Sequence, residues 1–520
     1  MLSVLVVHIV LVKSPYPQQP LLAMIYLVWS AALILLTAAL RREFGAERTV
    51  AVLAGFVLAG GLLNTIAGVL QHYEWRGPFE SIVATKLYFQ VYGNLGQPNH
   101  FATHIVLALA SLGYFYATAR MRLKRTIVIA LPLLFVLALS GSRSSWFYLL
   151  GIVGLALLSY RVARTAETRR TLHFAVVLIP GLIAAHLISQ LPFLAPPTLQ
   201  ETTIDRIFSL ASTSSDRLQL WREAWAMFMS APVFGVGWGQ FAWHNFMLTG
   251  QLEGSPLRGL YNHAHNLLLQ LLAETGAIGA GIVLIGTLVW IRHAWPLLSK
   301  ASGWWIWSCV AVLGLHSMLE YPLWNTYFLG IACVLLGLSD TRTLQLHQAR
   351  LVRLGVIVLI AGTAWIGTMM LDRYHRLESV IYARYGDKNG LALEQAHREM
   401  LAVRASFFLV PYVDLAYARD IALNVTDIDR KLAFTARVMH FAPTGMVAYR
   451  HAALKALAGN ESEARAILSR AVIAYPMMLE TFVREFAAAD TGNREAQARF
   501  LTELQRHAAK RRSDDRSSQQ

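Results

Sequence analysis

Long uncharged runs constrain this chain more than anything else in it. Residues 21–40, 50–70, 101–119, 172–190, 264–290 and 351–371 are each close to the roughly 20 apolar residues a helix needs to cross a bilayer. Shorter runs fill 126–140, 145–160, 304–319 and 323–338. Only 15 % of the 520 residues are charged and mean hydropathy is +0.44, whereas soluble domains carry about a quarter charged residues. The expected class is therefore all-α, a polytopic helical membrane protein.

The net charge of +15 does not point to nucleic acid, because Lys and Arg sit in short clusters between the apolar runs. These clusters are 41–48, 120–125, 161–170, 292–300 and Arg342–Arg353. Basic loops favour the cytoplasmic side, so the intervening segments, including the long loop 191–263, are expected outside. Regular alternation requires 126–140 and 145–160 to be separate spans. Counting the short apolar opening Met1–Val12, about 11 spans result, with the chain beyond Asp372 outside. Met1–Val12 itself reads as a signal-like segment or as the remnant of a span that begins upstream.

The expected domains are 1–371, a transmembrane domain with the outer loop 191–263, then 372–508, helical and soluble, then a disordered tail 509–520. Cys309 and Cys333 both fall in predicted spans, which leaves the outer domain without disulfides or cysteine metal sites. Pro411, Pro443 and Pro476 recur at 32 and 33 residues, each expected to close an apolar helical run. That spacing resembles tetratricopeptide hairpins, whose period is about 34 residues; a plain helical cap is the other reading. Asp427 and Asp429 read as a turn, and Asn424 and Asn460 stand in glycosylation-like triplets.

Unusual polar residues gather at the outer ends of the spans. Pro98 suits a first helical turn, which leaves Gln97 and Asn99 beside it and puts His100 and His104 on one helical face. Arg143 occupies the turn of "SGSR", either as a functional ionisable group or as an arginine reaching lipid phosphate. Arg217, Trp221 and Trp225 lie at helical spacing, as an interfacial helix or as part of a site. Gly235, Gly237 and Gly239 are not a nucleotide loop, since no strand precedes them; they suit a tight backbone path. If Asn262 caps the next helix, His265 and Asn266 fall in its first turns, with His263 just ahead. Glu274, about 13 Å deeper by helix rise, cannot then partner His265. His316, Glu320 and Tyr321 close the next span, which Pro322 is expected to terminate. Arginines among histidines, a glutamate and a tyrosine suit an anionic lipid-linked substrate, because the guanidinium fork matches phosphate.

His265–Asn266, nine residues, then Gly276-x-x-Gly279 resembles the pattern of O-antigen ligases and polymerases. With "GNLGQPNHFA", "SGSRSSWF", "DRLQLW…P…GVGWGQF" and "HSMLEYPLW", the stretch 90–340 is similar to the bacterial protein O-oligosaccharyltransferases of the PglL type. The resemblance implies a GT-C-like inner-membrane glycosyltransferase. Such an enzyme moves a preassembled glycan from undecaprenyl diphosphate to Ser or Thr of a pilin or other exported protein, on the periplasmic side. No cofactor is expected, and no metal either, since the membrane-proximal loops show no paired carboxylates. Arg143 and Arg217 would hold the diphosphate, and His265 would accept the hydroxyl proton, with Glu320 as the competing base. Gln97, Asn99, His263, Asn266, His316, Glu320 and Tyr321 would bind or orient substrate. Open alternatives are an O-antigen ligase acting on lipid A–core, a glycan polymerase, a lipid-linked glycan transporter and a non-enzymatic scaffold.

Overall fold

A computed structural model describes the chain except residues 76, 88–89, 195–210, 253–256, 341–348, 387–391 and 518–520. Part of the basic cluster at Arg342 therefore lies outside the described residues. Helices dominate, and no strand occurs among the described residues. Each apolar run folds as a helix. In order these are α1 (Leu2–Val10), α2 (Gln18–Phe44), α3 (Ala46–His72), α4 (Pro98–Ala117), α5 (Leu123–Leu139), α6 (Ser144–Val162) and α7 (Ala166–Ser189). Then follow α8 (Ala211–Ser230), α9 (Phe241–Leu248), α10 (Leu267–Ala294), α11 (Ala301–Ser317), α12 (Thr326–Ser339) and α13 (Ala349–Tyr385). Six helices among the described residues are long and apolar enough to cross a membrane: α2, α3, α4, α6, α7 and α10. Together they make this a multi-pass membrane protein. The expected count of about 11 also includes shorter helices, such as α5 and α12, that do not meet that length.

Helix α4 is the central post. Its residues 105–110 are all fully buried, and it is surrounded by α3, α5, α6, α7 and α11. Two tryptophans of α11 seal this core, with Trp305 Nε1 donating to Ser111 Oγ at 2.9 Å and Trp304 packed beside it. A buried indole keeps its N–H bonded because the unsatisfied donor is costly in an apolar surrounding.

Beyond the membrane helices lie α14 (Leu393–Arg404), α15 (Val410–Ala418), α16 (Ile428–Phe441), α17 (Gly445–Leu457), α18 (Glu461–Ala474), α19 (Leu479–Ala488) and α20 (Arg494–Ser517). Helices α16 to α20 share one apolar core, into which α9 inserts Phe246 and Trp243. Asp414, 2 % exposed, binds this end of the molecule to the membrane part. It accepts from Arg404 Nε, Arg437 Nη2 and Tyr16 Oη, each at 3.0 Å.

Two expectations need correction here. Pro443 and Pro476 follow helix ends, but Pro411 sits in the first turn of α15 and opens a helix, a position that suits its missing N–H. The tail read as disordered is helical as far as Ser517. It is held by Arg511, which donates to the Pro476 carbonyl, and by the Arg512–Glu480 pair.

Candidate active site

Helix α10 is broken inside the membrane part. Gly276 takes φ +63° and ψ −167°, which separates the helix into two pieces. A loop supplies the lost hydrogen bonds. The carbonyls of Pro232 and Val233 accept from Ala277 N (2.8 Å) and Ile278 N (3.3 Å) of the second piece. Val236 N and Gly237 N donate to Ala273 O (2.9 Å) and Glu274 O (3.2 Å) of the first. A Cβ on Gly276 would lie 2.4 Å from the Val233 carbonyl carbon, and one on Gly235 would lie 2.3 Å from that of Glu274. Glycine is required at both positions, by space and by positive φ. The tight backbone path expected of Gly235, Gly237 and Gly239 is what they form, with φ of +74°, +109° and +77°.

Glu274 serves this junction and not the histidines: its Oε1 accepts from Phe241 N at 3.1 Å. His8, fully buried in α1, clamps the loop from the other side. Its Nδ1 accepts from Trp238 N at 3.2 Å, so Nε2 carries the proton and donates to the Phe234 carbonyl at 2.7 Å. Sequence reasoning missed His8; the available signal was one imidazole in a twelve-residue opening whose other residues are apolar except Ser3.

The cap of α10 differs from the expectation. Asn266, not Asn262, caps it, accepting from Leu269 N at 3.1 Å, and its Nδ2 reaches the Met318 carbonyl at 3.5 Å. His265 therefore precedes the helix, in the left-handed region at φ +51°, where a continuous right-handed helix cannot hold it. That turn aims its ring at the segment after α11. This helix ends at Ser317, earlier than expected, and Pro322 opens the short 3₁₀ turn Pro322–Trp324. Between them lies Glu320, 5 % exposed.

Three donors meet the Glu320 carboxylate. His265 Nδ1 lies 2.8 Å from Oε2, while Arg217 Nη2 and Asn99 Nδ2 each lie 3.1 Å from Oε1. These groups come from the turn before α10, from α8 and from α4, which share no sequence neighbourhood. Burial acts to raise the Glu320 pKa, but the His265 hydrogen bond and the charges of His265, Arg217 and His316 outweigh it and hold the group below its ordinary value. Because Nδ1 is bound to the carboxylate, Nε2 is the nitrogen of His265 left to receive a proton.

Tyr321 forms the adjoining wall. His263 stacks on its ring at 4.4 Å and 12°, and His265 meets it edge-on at 5.3 Å. Burial, with the neighbouring His265, pushes the His263 pKa down to about 4 against the opposing pull of Glu320. The two histidines thus share a tyrosine although they could not share a helical face. Trp324 and Trp238 extend the wall, stacked at 6.0 Å with rings 3° apart, and His263 contacts Trp324. Neither tryptophan was singled out from sequence.

The remaining expected residues occupy the rim or the space behind. Asn99 Oδ1 accepts from Ser142 Oγ at 2.8 Å, which brings the 141–144 turn, and with it exposed Arg143, to the edge of the cluster. Gln97 ends the segment before α4 with a buried, unpartnered Oε1. His316 lies deeper, bonded to Thr103 Oγ1 at 2.8 Å. His104 turns toward Asn64 Nδ2, while His100 bonds Tyr327 Oη. Of the face expected on α8, only Arg217 reaches the carboxylate; Trp221 packs inward and Trp225 is half exposed. No group of three or more metal-ligating side chains occurs among the described residues.

Parts of the chain match known protein families. Residues 91–116 match the family described as "Protein glycosylation ligase", 126–284 match "O-Antigen ligase", and 304–487 match "Virulence factor membrane-bound polymerase, C-terminal". These matches support the resemblance to the PglL-type family within the O-antigen ligase superfamily. Two relatives come from Acinetobacter baylyi. The ComP-specific O-oligosaccharyltransferase is 27 % identical over 280 residues, covering 53 % of this chain and 48 % of that protein. The General O-oligosaccharyltransferase is 27 % identical over 333 residues, covering 62 % and 56 %. The chain thus spans about half the length of these relatives. No solved structure matches it. The His265–Asn266…Gly276 motif acquires physical content here: His265 meets the carboxylate, Asn266 caps α10, and Gly276 makes the break.

Proposed function

We propose that the protein is an O-oligosaccharyltransferase, moving a preassembled glycan from undecaprenyl diphosphate to a serine or threonine hydroxyl of an exported protein. The observation that carries this reading is the pairing of His265 Nδ1 with Glu320. It leaves His265 Nε2 to take the proton from the acceptor hydroxyl while that oxygen attacks the anomeric carbon. The bond from that carbon to the diphosphate oxygen breaks, and the diphosphate departs with the electron pair. Arg143 at the rim and the outer donors of Arg217 meet the charge that develops there, the kind of oriented cation that often dominates catalysis. Glu320 orients the imidazole and stabilises its protonated form, as a carboxylate does in other histidine-centred sites. Gln97, Asn99, His263, Asn266, His316 and Tyr321 are read as the sugar and acceptor surround.

In this reading the site faces the periplasm across the inner membrane, with about 11 spans, and residues 372–508 are a tetratricopeptide-like acceptor platform. The insertion of α9 into that helical core supports it, since it links the platform to the loop beside the site. The names of both relatives, with "Protein glycosylation ligase" over 91–116, favour a protein acceptor. The polymerase-type match over 304–487 and the O-antigen ligase match over 126–284 favour a second reading, in which the acceptor is another glycan or lipid A–core.

The deciding experiment reconstitutes purified protein with a diphosphate-linked glycan lipid and either a pilin-like protein or lipid A–core. Glycosylated protein from wild type, lost in His265→Ala and Arg143→Ala, is the expected result. Product on lipid A–core alone overturns the protein-acceptor reading.

A further inference from the structure

A run of aromatic rings leads away from the His265 imidazole. His265 meets Tyr321 at 5.3 Å, and Tyr321 stacks on His263 at 4.4 Å. His263 in turn meets Trp324 at 5.1 Å, and Trp324 stacks on Trp238 at 6.0 Å. The first rings surround the chemistry; the two tryptophans stand beyond it. Neither tryptophan belongs to an apolar core among the described residues. Trp324 is 38 % exposed and Trp238 is half-buried.

Both rings are carried on pinned backbone. Trp238 N donates to His8 Nδ1 at 3.2 Å, between Gly237 and Gly239, which take φ of +109° and +77°. Trp324 ends the 3₁₀ turn, where its N donates to the Tyr321 carbonyl at 3.1 Å. Aromatic side chains on such a backbone lose little freedom when a ligand covers them. Uncharged amides border the pair. A Cβ on Gly239 would lie 2.7 Å from the amide carbon of Gln19, whose Oε1 is buried without a partner. Gln18 Oε1 is also unpartnered, in a residue only 9 % exposed, and so is Nδ2 of Asn325, directly after Trp324. Buried polar atoms are normally bonded, so these amides retain capacity for a ligand. An indole face suits the C–H side of a sugar ring, and a neutral amide suits its hydroxyls.

We propose that Trp238 and Trp324 form a subsite for the donor's outer sugars, those beyond the one whose anomeric carbon is attacked. The inference rests on the glycan donor proposed above and adds where the rest of the glycan lies. The two indole planes are 3° from parallel, so successive sugar rings can stack on them in one orientation. A glycan held there directs its inner end along the aromatic run toward His265. Binding energy from these remote sugars then serves to place the anomeric carbon before the acceptor hydroxyl.

The test uses the full-length protein in detergent. Its probes are the source cell's own diphosphate-linked oligosaccharide lipid, that lipid trimmed to its innermost sugar, and the free oligosaccharide released by mild acid. Saturation-transfer NMR on wild type should show the ring C–H protons of the outer sugars in contact with aromatic protons. The double variant Trp238→Leu with Trp324→Leu should abolish those contacts. It should also raise the KM of the oligosaccharide lipid roughly tenfold, erasing its advantage over the trimmed lipid. Trp324→Phe, which keeps an aromatic face, should recover most of what Trp324→Leu loses. No saturation of the outer sugars, or the same KM ratio of the two lipids in wild type and double variant, would overturn the subsite even if transfer proceeds. A raised KM for the acceptor protein alone would give the rings to the acceptor and overturn it as well. Contacts that depend on both tryptophans, with no transfer from either lipid, would support the subsite and sink the donor reading.

Discussion

His265 Nδ1 and Glu320 Oε2 lie 2.8 Å apart although 55 positions separate them in the chain. One precedes α10, the other follows α11, and the contact exists only because both loops end at the same face. This pairing yields the first prediction. His265→Ala should lower kcat for glycan transfer by about 10²–10⁴-fold, the usual contribution of a positioned base. Glu320→Gln should cost less, because an amide still fills the place beside Asn99. Single-turnover assays decide the matter; a larger loss in Glu320→Gln would make the carboxylate the base.

The depressed pKa of Glu320 predicts a pH effect of definite sign. A carboxyl held below its ordinary value when folded contributes stability above the unfolded value of 4.5, and that contribution is lost as pH falls through the folded value. Thermal unfolding midpoints should therefore separate wild type from Glu320→Gln at pH 5 to 8 and converge in stronger acid. A constant gap down to pH 3 would contradict the ion pair.

His263 moves in the same pH direction but over a higher window. Its folded pKa is about 4 against an ordinary 6.5, so it stays neutral in the folded protein while the unfolded chain takes up a proton below 6.5. Stability from this group is complete above 6.5 and declines as pH falls toward 4. His263→Phe, which keeps a ring over Tyr321, should flatten that part of the midpoint profile. An unchanged slope between pH 6.5 and 4 would show that the ring titrates normally.

The break in α10 makes a fourth residue decisive. Gly276→Ala should destabilise by more than ~1 kcal/mol, because φ is positive and the added carbon meets backbone that cannot yield. Gly281→Ala, five residues on with nothing within 4 Å, serves as the neutral control. Equal melting temperatures for the two variants would rule out the strained junction.

Asp414 predicts a fifth outcome. Asp414→Ala removes the acceptor shared by Arg404, Arg437 and Tyr16 and should cost about 2–4 kcal/mol, since breaking a buried charged cluster strands its partners. Limited proteolysis of the 393–441 region should accelerate in step. Unaltered cleavage rates would show that the apolar core alone holds these helices.

The apolar helices were legible because their signal is local: each run of uncharged residues announces its own helix, from 21–40 inside α2 to 323–338 around α12. The list of polar residues at the site was legible for the same reason, since each interrupts or ends an apolar run. Their pairing was not. That Glu320 answers His265 depends on how α8, α10 and α11 are placed, and that placement leaves no mark in residue spacing. The cap of α10 went to Asn266 and not Asn262 because a side-chain oxygen reached Leu269 N, and two asparagines four residues apart give the sequence no means of choosing. Trp238 was hidden among glycines that read only as a turn.

The loop that completes the two pieces of α10 has a kinetic consequence. Swinging it aside would strand the Ala277 and Ile278 N–H groups and the Ala273 and Glu274 carbonyls at membrane depth, at several kcal/mol for each exposed group. Such a loop behaves as masonry and not as a door. In the proposed reaction, admission of substrate then falls to segments other than 232–237.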